Sequence, residues 1–396
     1  MLLIHLVSEQ TLQNLLPTLA LRPEAILQVR SSDARFASIP GHLEDACRKA
    51  GLNSMQFLPV VTIPSASPSI EETESVLNEI RMRQDANTLC VNLTGGTKLM
   101  SIGAYRFAEY HRLASLYTDT QNRRAFADAA TAPWPQPLPL LPETVDQLTV
   151  PVVMAAQGKT FSEDTISEAM LDFGRRAWDL RTEHHEAISA WTEKIRESVP
   201  RSNNGKVTNN PQDLKTFLTK PLPSATSEAA SDYLDAAADA GLLRVDLSGR
   251  TFLATQASKT DIERTMNLLD GAWLELAVAA FARSRGTRFA DVHWSIMPES
   301  AGDAADYGET DLVLLDRKKL RLAIISCKSS LKHLSKLEHL SSWRDRARTL
   351  GGSYAAVHLA VFQASDPSEV ASMKKLGKAM GISVHVGDEI RSFFSE

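Results

Sequence analysis

Residues 91–100 read Val91-Asn92-Leu93-Thr94-Gly95-Gly96-Thr97-Lys98-Leu99-Met100. The apolar start of this stretch predicts a β-strand, and the pattern that follows the lysine predicts a helix. The two glycines allow the backbone to come close to a ligand, and the free amides at the start of a helix favour a phosphate group. The stretch lacks the GxxxxGK[ST] spacing of a Walker A loop. It therefore predicts either a different phosphate-binding loop or a plain strand-to-helix turn.

Short apolar runs alternate with helical patterns around this stretch, from residue 1 to about residue 120. The spacing predicts helices over Ile70–Arg83 and Lys98–His111. Apolar strands separated by helices are typical of a parallel, doubly wound sheet, in which ligands bind beyond the carboxyl ends of the strands. The predicted strands cover residues 2–7, 25–29, 57–63, 89–93 and 115–118.

The length and composition of the chain limit its class. A chain of 396 residues predicts two or three domains, and 43% hydrophobic with 23% charged residues is typical of a globular protein. The net charge of -5 argues against a uniformly basic surface, so a nucleic-acid-binding surface would have to be local. Three distant cysteines form no zinc-binding spacing and favour free thiols in a cytoplasmic protein. The chain has no apolar run long enough to predict a membrane span.

Composition divides the chain into three parts. Residues 125–160 are rich in proline and alanine and predict a connector. In the middle part, helical patterns are followed by Gly241 and two short strand patterns. This order resembles a winged helix, but a structural spacer explains the same pattern, and the sequence leaves both interpretations open. We place the three parts at residues 1–150, 151–260 and 261–396.

The last part predicts a long helix over residues 263–284 followed by a second set of strands. Glu275 lies on the helix and Asp311 on a strand, whereas Ser326 and Lys328 share one face of the next strand because side chains alternate. A carboxylate and a lysine that meet at one sheet edge could hold a hard divalent ion and stabilise the charge that develops in phosphodiester hydrolysis. Residues of these types at strand ends also often only face solvent.

A basic stretch surrounds this candidate site. Residues 316–348 contain ten basic residues against three acidic ones, in a chain that is acidic overall. Lys332 and Lys336 are four residues apart, so they share a helix face. Such a face near Lys328 suits the phosphate backbone of a nucleic acid. The alternative is an ordinary solvated helix face.

The N-terminal part resembles the CARF domains of the ancillary nucleases of type III CRISPR systems. The likeness lies in residues 6–17, 92–98 and 117–120. In that family the domain senses a cyclic oligoadenylate, typically cyclic tetra-adenylate, as a homodimer with the ring across the two-fold axis. The resemblance implies ligand contacts from Ser8, Glu9, Gln10, Asn14, Thr94, Gly95, Gly96, Thr97 and Lys98.

The C-terminal part resembles the PD-(D/E)XK nuclease domain of the same proteins. The likeness lies in the segment Gly271-Ala272-Trp273-Leu274-Glu275, in the strands that follow and in Ser326-Cys327-Lys328. It implies that Asp311 and Glu275 hold Mg²⁺ or Mn²⁺, that Ser326 belongs to the catalytic set and that Lys328 stabilises the transition state.

One position departs from the family pattern. A glutamate is expected two residues before the lysine, whereas this chain has Ser326, and a hydroxyl is a poorer ligand for Mg²⁺ than a carboxylate. Asp311 and Glu275 could suffice, Glu309 could supply a further carboxylate, or the site could be weakened or inactive. The sequence leaves these three possibilities open.

The two resemblances together predict an α/β protein with a Rossmann-like CARF domain, a helical and winged-helix-like linker, and a restriction-endonuclease-like domain. The implied function is a metal-dependent nuclease that cyclic tetra-adenylate activates and that hydrolyses DNA and/or RNA in antiviral defence. The implied state is a cytoplasmic homodimer without a membrane partner. The alternative is a non-catalytic, ligand-responsive regulator with a winged-helix DNA reader and a degenerate nuclease domain.

Overall fold

Two large β-sheets organise the chain, one in an N-terminal lobe and one in a C-terminal lobe. The computed structural model describes residues 1–83, 89–119, 124–127, 138–139, 146–200, 207, 210–218, 227–241, 243–246, 249–252, 263, 266–284, 288–289, 291–299, 308–331, 337–364 and 366–395.

Eight strands form the sheet of the N-terminal lobe in the ranges given above. They are β1 (Leu2–Leu6), β2 (Ala25–Ser31), β3 (Gln56–Phe57), β4 (Val61–Ile63), β5 (Leu89–Asn92), β6 (Ala114–Asp119), β7 (Arg124–Ala127) and β8 (Leu138–Pro139). Their order is β3-β2-β1-β5-β6-β7-β8, and β4 also pairs with β2. The pairs from β3 to β6 are parallel, whereas β7 and β8 are antiparallel additions.

The order of the strands reverses between β1 and β5, because the chain proceeds outward on one side to β3 and then returns to the centre. In open parallel sheets, ligands bind in the crevice at this reversal, beyond the carboxyl ends of the strands. The loops that follow β1 and β5 flank that crevice, and the second of them is the glycine-rich loop at residues 93–97.

Four helices cover the two faces of this sheet. The first two in chain order, α1 (Leu12–Leu21) and α2 (Ile39–Lys49), contribute to one hydrophobic cluster. The next two, α3 (Ile70–Arg83) and α4 (Lys98–His111), contribute to the cluster on the opposite face. Apolar strands that are buried on both faces therefore explain the near-continuous hydrophobic runs in the sequence.

The middle of the chain is largely helical. Helices α6 (Glu168–Ser198) and α8 (Glu228–Asp239) pack against each other. With the later helix Trp273–Ser284, they share a hydrophobic cluster with the C-terminal sheet. The predicted pair of short strands is present as an antiparallel hairpin. The elements of this region are α5 (Val150–Ala156), β9 (Thr160–Asp164), α6 (Glu168–Ser198), α7 (Pro211–Leu218), α8 (Glu228–Asp239), β10 (Leu243–Asp246) and β11 (Gly249–Phe252).

The C-terminal lobe is built on a mixed six-stranded sheet. Its remaining elements are α9 (Trp273–Ser284), β12 (Val292–Glu299), β13 (Thr310–Asp316), β14 (Arg321–Ser330), α10 (Leu337–Gly351), β15 (Ala356–Gln363), α11 (Pro367–Met380), β16 (Ile382–Val386) and α12 (Asp388–Ser395). The strand order is β16-β15-β14-β13-β12-β9. Strands β14 to β16 are parallel, and β9, β12, β13 and β14 are antiparallel.

The two lobes share a hydrophobic core. Helix α5 contributes Val152 and Met154 to a cluster that also contains Leu15 of α1 and Leu322 of β14. All four side chains are at most 1% exposed. The lobes therefore contact each other through packed side chains as well as through the chain between them.

Several boundaries differ from the sequence-based expectation. The strand predicted over residues 57–63 is two short strands, β3 and β4, which both pair with β2. Strand β9 lies in a segment that we expected to be connector and helix, yet it pairs with β12 at the edge of the C-terminal sheet. The long helix predicted over residues 263–284 contains a π-helical turn at Leu268–Ala272 before α9 begins.

Within the ranges that the structure describes, no helix combines the length and the apolar character needed to cross a bilayer.

Candidate ligand and metal sites

The glycine-rich loop lies directly over the end of β1. A Cβ atom at Gly95 would lie 2.0 Å from the backbone oxygen of Leu6, so only glycine fits there. Gly96 has a φ of +74°, in the left-handed region that favours glycine. Thr97 then caps α4, because its hydroxyl accepts a hydrogen bond from the amide of Met100. The loop is thus held close to the neighbouring strand and presents the start of a helix to the crevice.

A buried polar network supports this loop from below. The side-chain amide of Asn92 donates to Asn14 Oδ1 at 2.9 Å and lies 3.0 Å from His5 Nδ1. Asn92 Oδ1 in turn accepts from the amide and the hydroxyl of Thr94. Burial lowers the pKa of His5 to about 3, so the ring is neutral at physiological pH. The network fixes the loop with neutral hydrogen bonds.

Asn14 belongs to this network and faces inward. Its side chain is 1% exposed, and its amide donates to the backbone oxygen of Leu6 at 3.0 Å. The sequence predicts a ligand contact at this position, whereas the structure places Asn14 beneath the loop. His5 and Asn92 were absent from the predicted set of contacts. A histidine inside the apolar run Leu2–Leu6 was the available signal, because a buried polar side chain requires partners.

The other predicted ligand residues lie around the crevice. Lys98 is exposed at the first position of α4. On the loop after β1, Ser8 Oγ is buried, and no hydrogen-bond partner for it is found in the described part of the chain. Glu9 is exposed and forms an ion pair with Arg35 at 3.5 Å, and Gln10 is partly buried beside it. Hydroxyl, amide and ammonium donors therefore surround the mouth of the crevice.

In the C-terminal lobe, the predicted catalytic residues come together at one edge of the sheet. Asp311 lies at the start of β13 and is opposite Ser326 of β14, which follows from the register that pairs Leu312 with Ile325. They line a cavity of about 240 Å³, which opens between these strands and α10. Residues that line it include Glu309, Asp311, Ser326, Lys328, Trp343 and Arg346.

One carboxylate oxygen of Asp311 is the centre of this arrangement. Asp311 Oδ2 accepts hydrogen bonds from Ser326 Oγ at 3.1 Å and from the amide of Cys327 at 2.6 Å. The ammonium group of Lys328 is 3.4 Å from the same oxygen. The side chain of Asp311 is 17% exposed and that of Lys328 is 38% exposed, so the pair lies at the cavity surface.

Two further carboxyl groups flank Asp311, and adjacent residues of β12 hold them. Trp294 Nε1 donates to Glu275 Oε2 at 2.6 Å, and Ser295 Oγ donates to Glu309 Oε1 at 2.5 Å. The pairing of β12 with β9 shifts its register between Trp294 and Met297, and Ser295 has a positive φ of 52°. Such bulges often direct side chains beside functional sites. No local pattern in the sequence indicates that Trp294 or Ser295 donates to these carboxyl groups.

The carboxyl groups influence each other electrostatically. Burial raises the pKa of Glu275 to about 8, and the negative charges of Asp311 and Glu309 act in the same direction. The hydrogen bond from Trp294 and the charge of Lys328 oppose this shift. A bound cation would relieve the repulsion between the carboxylates.

The donor set suits a hydrated divalent ion. In the ranges that the structure describes, no group of three or more His, Cys, Asp or Glu side chains is placed to hold a metal by itself. Mg²⁺ usually keeps several water ligands and takes one or two carboxylates. The carboxylates of Asp311 and Glu275, with their mutual repulsion, therefore fit such an ion, whereas a site made entirely of protein ligands is not formed.

The described basic residues of the stretch 316–348 do not all lie beside Lys328. Lys332 and Lys336 lie outside the described residues. The turn at residues 317–320 joins β13 to β14 at the end opposite to Asp311, as the pairing of Asp316 with Arg321 indicates. Its basic side chains are therefore at the far end of the hairpin, and the expectation of a single basic surface beside Lys328 is wrong for them. Arg346 is the basic residue of α10 that lines the cavity.

Comparisons with known proteins bear on both lobes. Residues 2–132 match the family model described as the Card1 CARF domain. Protein VC1899 from Vibrio cholerae superposes with a TM-score of 0.75 at 14% identity, covering 100% of this chain and 96% of that chain. Can2 from Sulfobacillus thermosulfidooxidans, solved in complex with cyclic tetra-adenylate, superposes with a TM-score of 0.65 at 17% identity. That match covers 100% of this chain and 97% of Can2. No curated protein matches the sequence. Residues 2–132 are thus similar to a CARF domain, and the whole chain shares the fold of the two solved proteins.

Proposed function

We propose that this protein is a metal-dependent nuclease that a cyclic oligoadenylate, namely the tetra-adenylate, activates in type III CRISPR defence. The observation that carries the proposal is the convergence of Ser326, Cys327 and Lys328 on one oxygen of Asp311, in a cavity that Glu275 adjoins. The match of residues 2–132 to a CARF domain supports the sensing half of the proposal. The Can2 structure supports the choice of ligand, because that protein was solved with cyclic tetra-adenylate.

The ligand would bind at the crevice between β1 and β5. The tight loop at Gly95 and Gly96 leaves the start of α4 open to a phosphate, and the charge of Lys98 would favour an anion there. Ser8 Oγ, buried at the same mouth, is placed to donate to a ribose or a phosphate oxygen. In this proposal Asn14 and Asn92 position the loop and do not contact the ligand.

A homodimer is part of the proposal. Helix α4 exposes Leu99, Ile102 and Tyr105, each at least 45% exposed. These side chains are three residues apart, so they form one stripe along the helix that begins with Lys98. Burial of such a stripe against a second copy would bring two glycine-rich loops to one ring-shaped ligand.

The residues of the C-terminal cavity would carry out phosphodiester hydrolysis. Asp311 and Glu275 would hold Mg²⁺ or Mn²⁺, which supplies Lewis-acid polarisation of a phosphoryl oxygen and lowers the pKa of a bound water. Lys328 can donate to the phosphoryl oxygen that gains negative charge, because its ammonium group lies at the cavity surface. The amide of Cys327 and the hydroxyl of Ser326 hold the orientation of Asp311.

A second candidate function rests on Ser326. This side chain occupies the strand face beside Lys328, where the resembling nucleases have a carboxylate, and it donates a hydrogen bond to Asp311. If the site were inactive for this reason, the protein would be a ligand-responsive regulator, with the hairpin β10–β11 and α8 as a DNA-binding module. Metal-dependent cleavage separates the two candidates.

The test combines ligand binding and cleavage in the full chain. Calorimetry should show binding of cyclic tetra-adenylate to the wild type and at least tenfold weaker binding to Lys98→Ala, with Lys49→Ala, exposed on α2, as the control. Asp311→Asn should bind the ligand like the wild type but should lose cleavage of DNA and RNA with Mg²⁺ or Mn²⁺. Cleavage by Asp311→Asn at the wild-type rate would refute the assignment of the active site.

A further inference from the structure

The cavity beside Asp311 has a second wall, which is formed by α10. Trp343 and Arg346 line it from this helix, whereas Asp311, Ser326 and Lys328 line it from β13 and β14. They are three residues apart, so both face the cavity from adjacent turns. The volume of about 240 Å³ is below the ~300–1,000 Å³ typical of drug-sized ligands, so it suits one part of a larger substrate.

The position of Arg346 is fixed by the backbone of the segment that enters β13. Its Nη1 atom donates to the backbone oxygen of Glu309 at 2.7 Å. Its guanidinium group also lies over Gly308, where a Cβ atom would come within 2.6 Å of Nη2. Gly308 has a φ of +63° and so favours glycine for its backbone as well. The absence of a side chain at residue 308 is what leaves room for the guanidinium group.

The charge of Arg346 is available to a ligand. The side chain of Arg346 donates a hydrogen bond to a neutral carbonyl, and within the described ranges it forms no ion pair with a carboxylate. Lys328, the other cation of the cavity, is already beside Asp311. A phosphodiester that approaches the cavity meets the negative charges of Asp311 and Glu309, and the charge of Arg346 would add to that of a bound metal ion in offsetting them.

We infer that Arg346 binds the phosphate backbone of the nucleic acid substrate and places it against Asp311. The inference rests on the proposed function, since it concerns the substrate of the same cavity. A guanidinium group can donate to two oxygens of one phosphate, which fixes orientation as well as distance. Trp343 lines the same cavity, and apolar surface beside an ion pair strengthens the attraction between a guanidinium group and a phosphate.

The flanking arginines of the same helix provide matched controls. Arg344 and Arg348 are exposed, and each is two residues from Arg346, so they point away from the cavity. Substitution of any of the three by alanine removes the same charge. If Arg346 contacts the substrate, Arg346→Ala should weaken nucleic acid binding more than Arg344→Ala or Arg348→Ala does.

The experiment measures binding of a labelled oligonucleotide to the full chain in the Asp311→Asn background, with Ca²⁺ and cyclic tetra-adenylate present, at several salt concentrations. Arg346→Ala should weaken binding at least tenfold and reduce the slope of log affinity against log salt by about 1. Arg346→Lys should bind the oligonucleotide with an affinity between those of the background and of Arg346→Ala, because lysine keeps the charge but cannot donate to two oxygens of one phosphate at once. Arg344→Ala and Arg348→Ala should stay within about twofold of the background.

Three results would overturn the inference: no oligonucleotide binding by the Asp311→Asn background, equal effects of all three alanine variants, or weaker binding by Arg346→Ala without a change in salt slope. The last would mean that Arg346 only holds the backbone at Glu309. Normal oligonucleotide binding with the predicted loss in Arg346→Ala, together with no cleavage by the wild type under any condition, would support the inference and contradict the nuclease proposal. The two proposals can therefore fail separately.

Discussion

Gln13 and Tyr354 lie in different lobes and are 341 residues apart in the chain, yet the side-chain amide of Gln13 donates to the hydroxyl of Tyr354 at 3.0 Å. The backbone oxygen of Gln13 also accepts a hydrogen bond from Asn92, which supports the glycine-rich loop. Tyr354 ends the short 3₁₀ turn that follows α10. A polar connection therefore runs from the underside of the ligand crevice to the helix that lines the cavity at Asp311.

The first prediction concerns this connection. Tyr354→Phe removes only the hydroxyl, so ligand affinity should change less than threefold. The ratio of the cleavage rates with and without cyclic tetra-adenylate should fall about two- to tenfold, which corresponds to one hydrogen bond of about 0.5–1.5 kcal/mol. Gln13→Ala should give the same result, and the double variant should add little. Unchanged activation in both variants would show that the hydrogen bond does not couple the lobes.

The second prediction concerns the close contact at Gly95. Gly95→Ala should remove measurable binding of cyclic tetra-adenylate, because its Cβ would lie 2.0 Å from the backbone oxygen of Leu6 and would displace the loop. The control is Gly41→Ala, in α2, where a Cβ would meet nothing within 4 Å. The control should bind normally and gain about 0.5–1 kcal/mol in stability. Normal ligand affinity in Gly95→Ala would contradict the proposed position of the ligand.

The third prediction concerns Ser326, which is 7% exposed and donates to Asp311. If Asp311 and Glu275 suffice for the ion, Ser326→Ala should keep the cleavage rate within about tenfold of the wild type. The amide of Cys327 and the ammonium group of Lys328 still hold Asp311, so the loss should be ~1.5 kcal/mol, the low end for a hydrogen bond to a charged group. Glu309→Gln should also lower the cleavage rate only slightly. A large gain of cleavage in Ser326→Glu, over a nearly inactive wild type, would favour the regulator.

The fourth prediction concerns acid stability. His5 is buried with a pKa of about 3, whereas the unfolded chain protonates it at its ordinary pKa of 6.5. Above pH 6.5 both states are neutral and His5 causes no pH dependence. As pH falls from 6.5 towards 3, only the unfolded state gains the proton, so the free energy of unfolding decreases, by about 2 kcal/mol at pH 5.

Denaturation of the wild type and of His5→Gln at pH 7 and pH 5 measures this effect. The variant should lose less stability between the two values, even if its stability at pH 7 is lower. His358, whose pKa burial also lowers to about 3, contributes equally to both proteins and therefore cancels in the comparison. The same loss in wild type and variant would mean that His5 is not neutral and buried.

Local patterns in the sequence predicted much of the fold. The helix bounds Ile70–Arg83 and Lys98–His111 are as predicted, because their apolar spacing and their ends are local properties. The position of Asp311 beside Ser326 and Lys328 also followed, since the alternation of side chains along β14 places those two on one face. The resemblance to the nuclease family, and not a local pattern, implied that Glu275 lies beside Asp311.

Local sequence patterns could not predict contacts between segments that are far apart in the chain. The inward orientation of Asn14 depends on Asn92, 78 residues away in sequence. Strand β9 joins the far sheet because an edge of β12 is available there, which no property of its own residues indicates. Arg346 reaches the cavity only because α10 packs beside β14 and because Gly308 leaves space for it.

The central claim is that ligand binding in the N-terminal lobe controls hydrolysis in the C-terminal lobe. The most direct test is the initial rate at which the wild type cleaves a labelled nucleic acid with Mn²⁺, as cyclic tetra-adenylate is titrated. We expect the rate to rise and saturate at about one ring per two chains, and to be lost in Asp311→Asn and with EDTA. A rate that does not depend on the ligand, or no cleavage at any ligand and metal concentration, would contradict the claim.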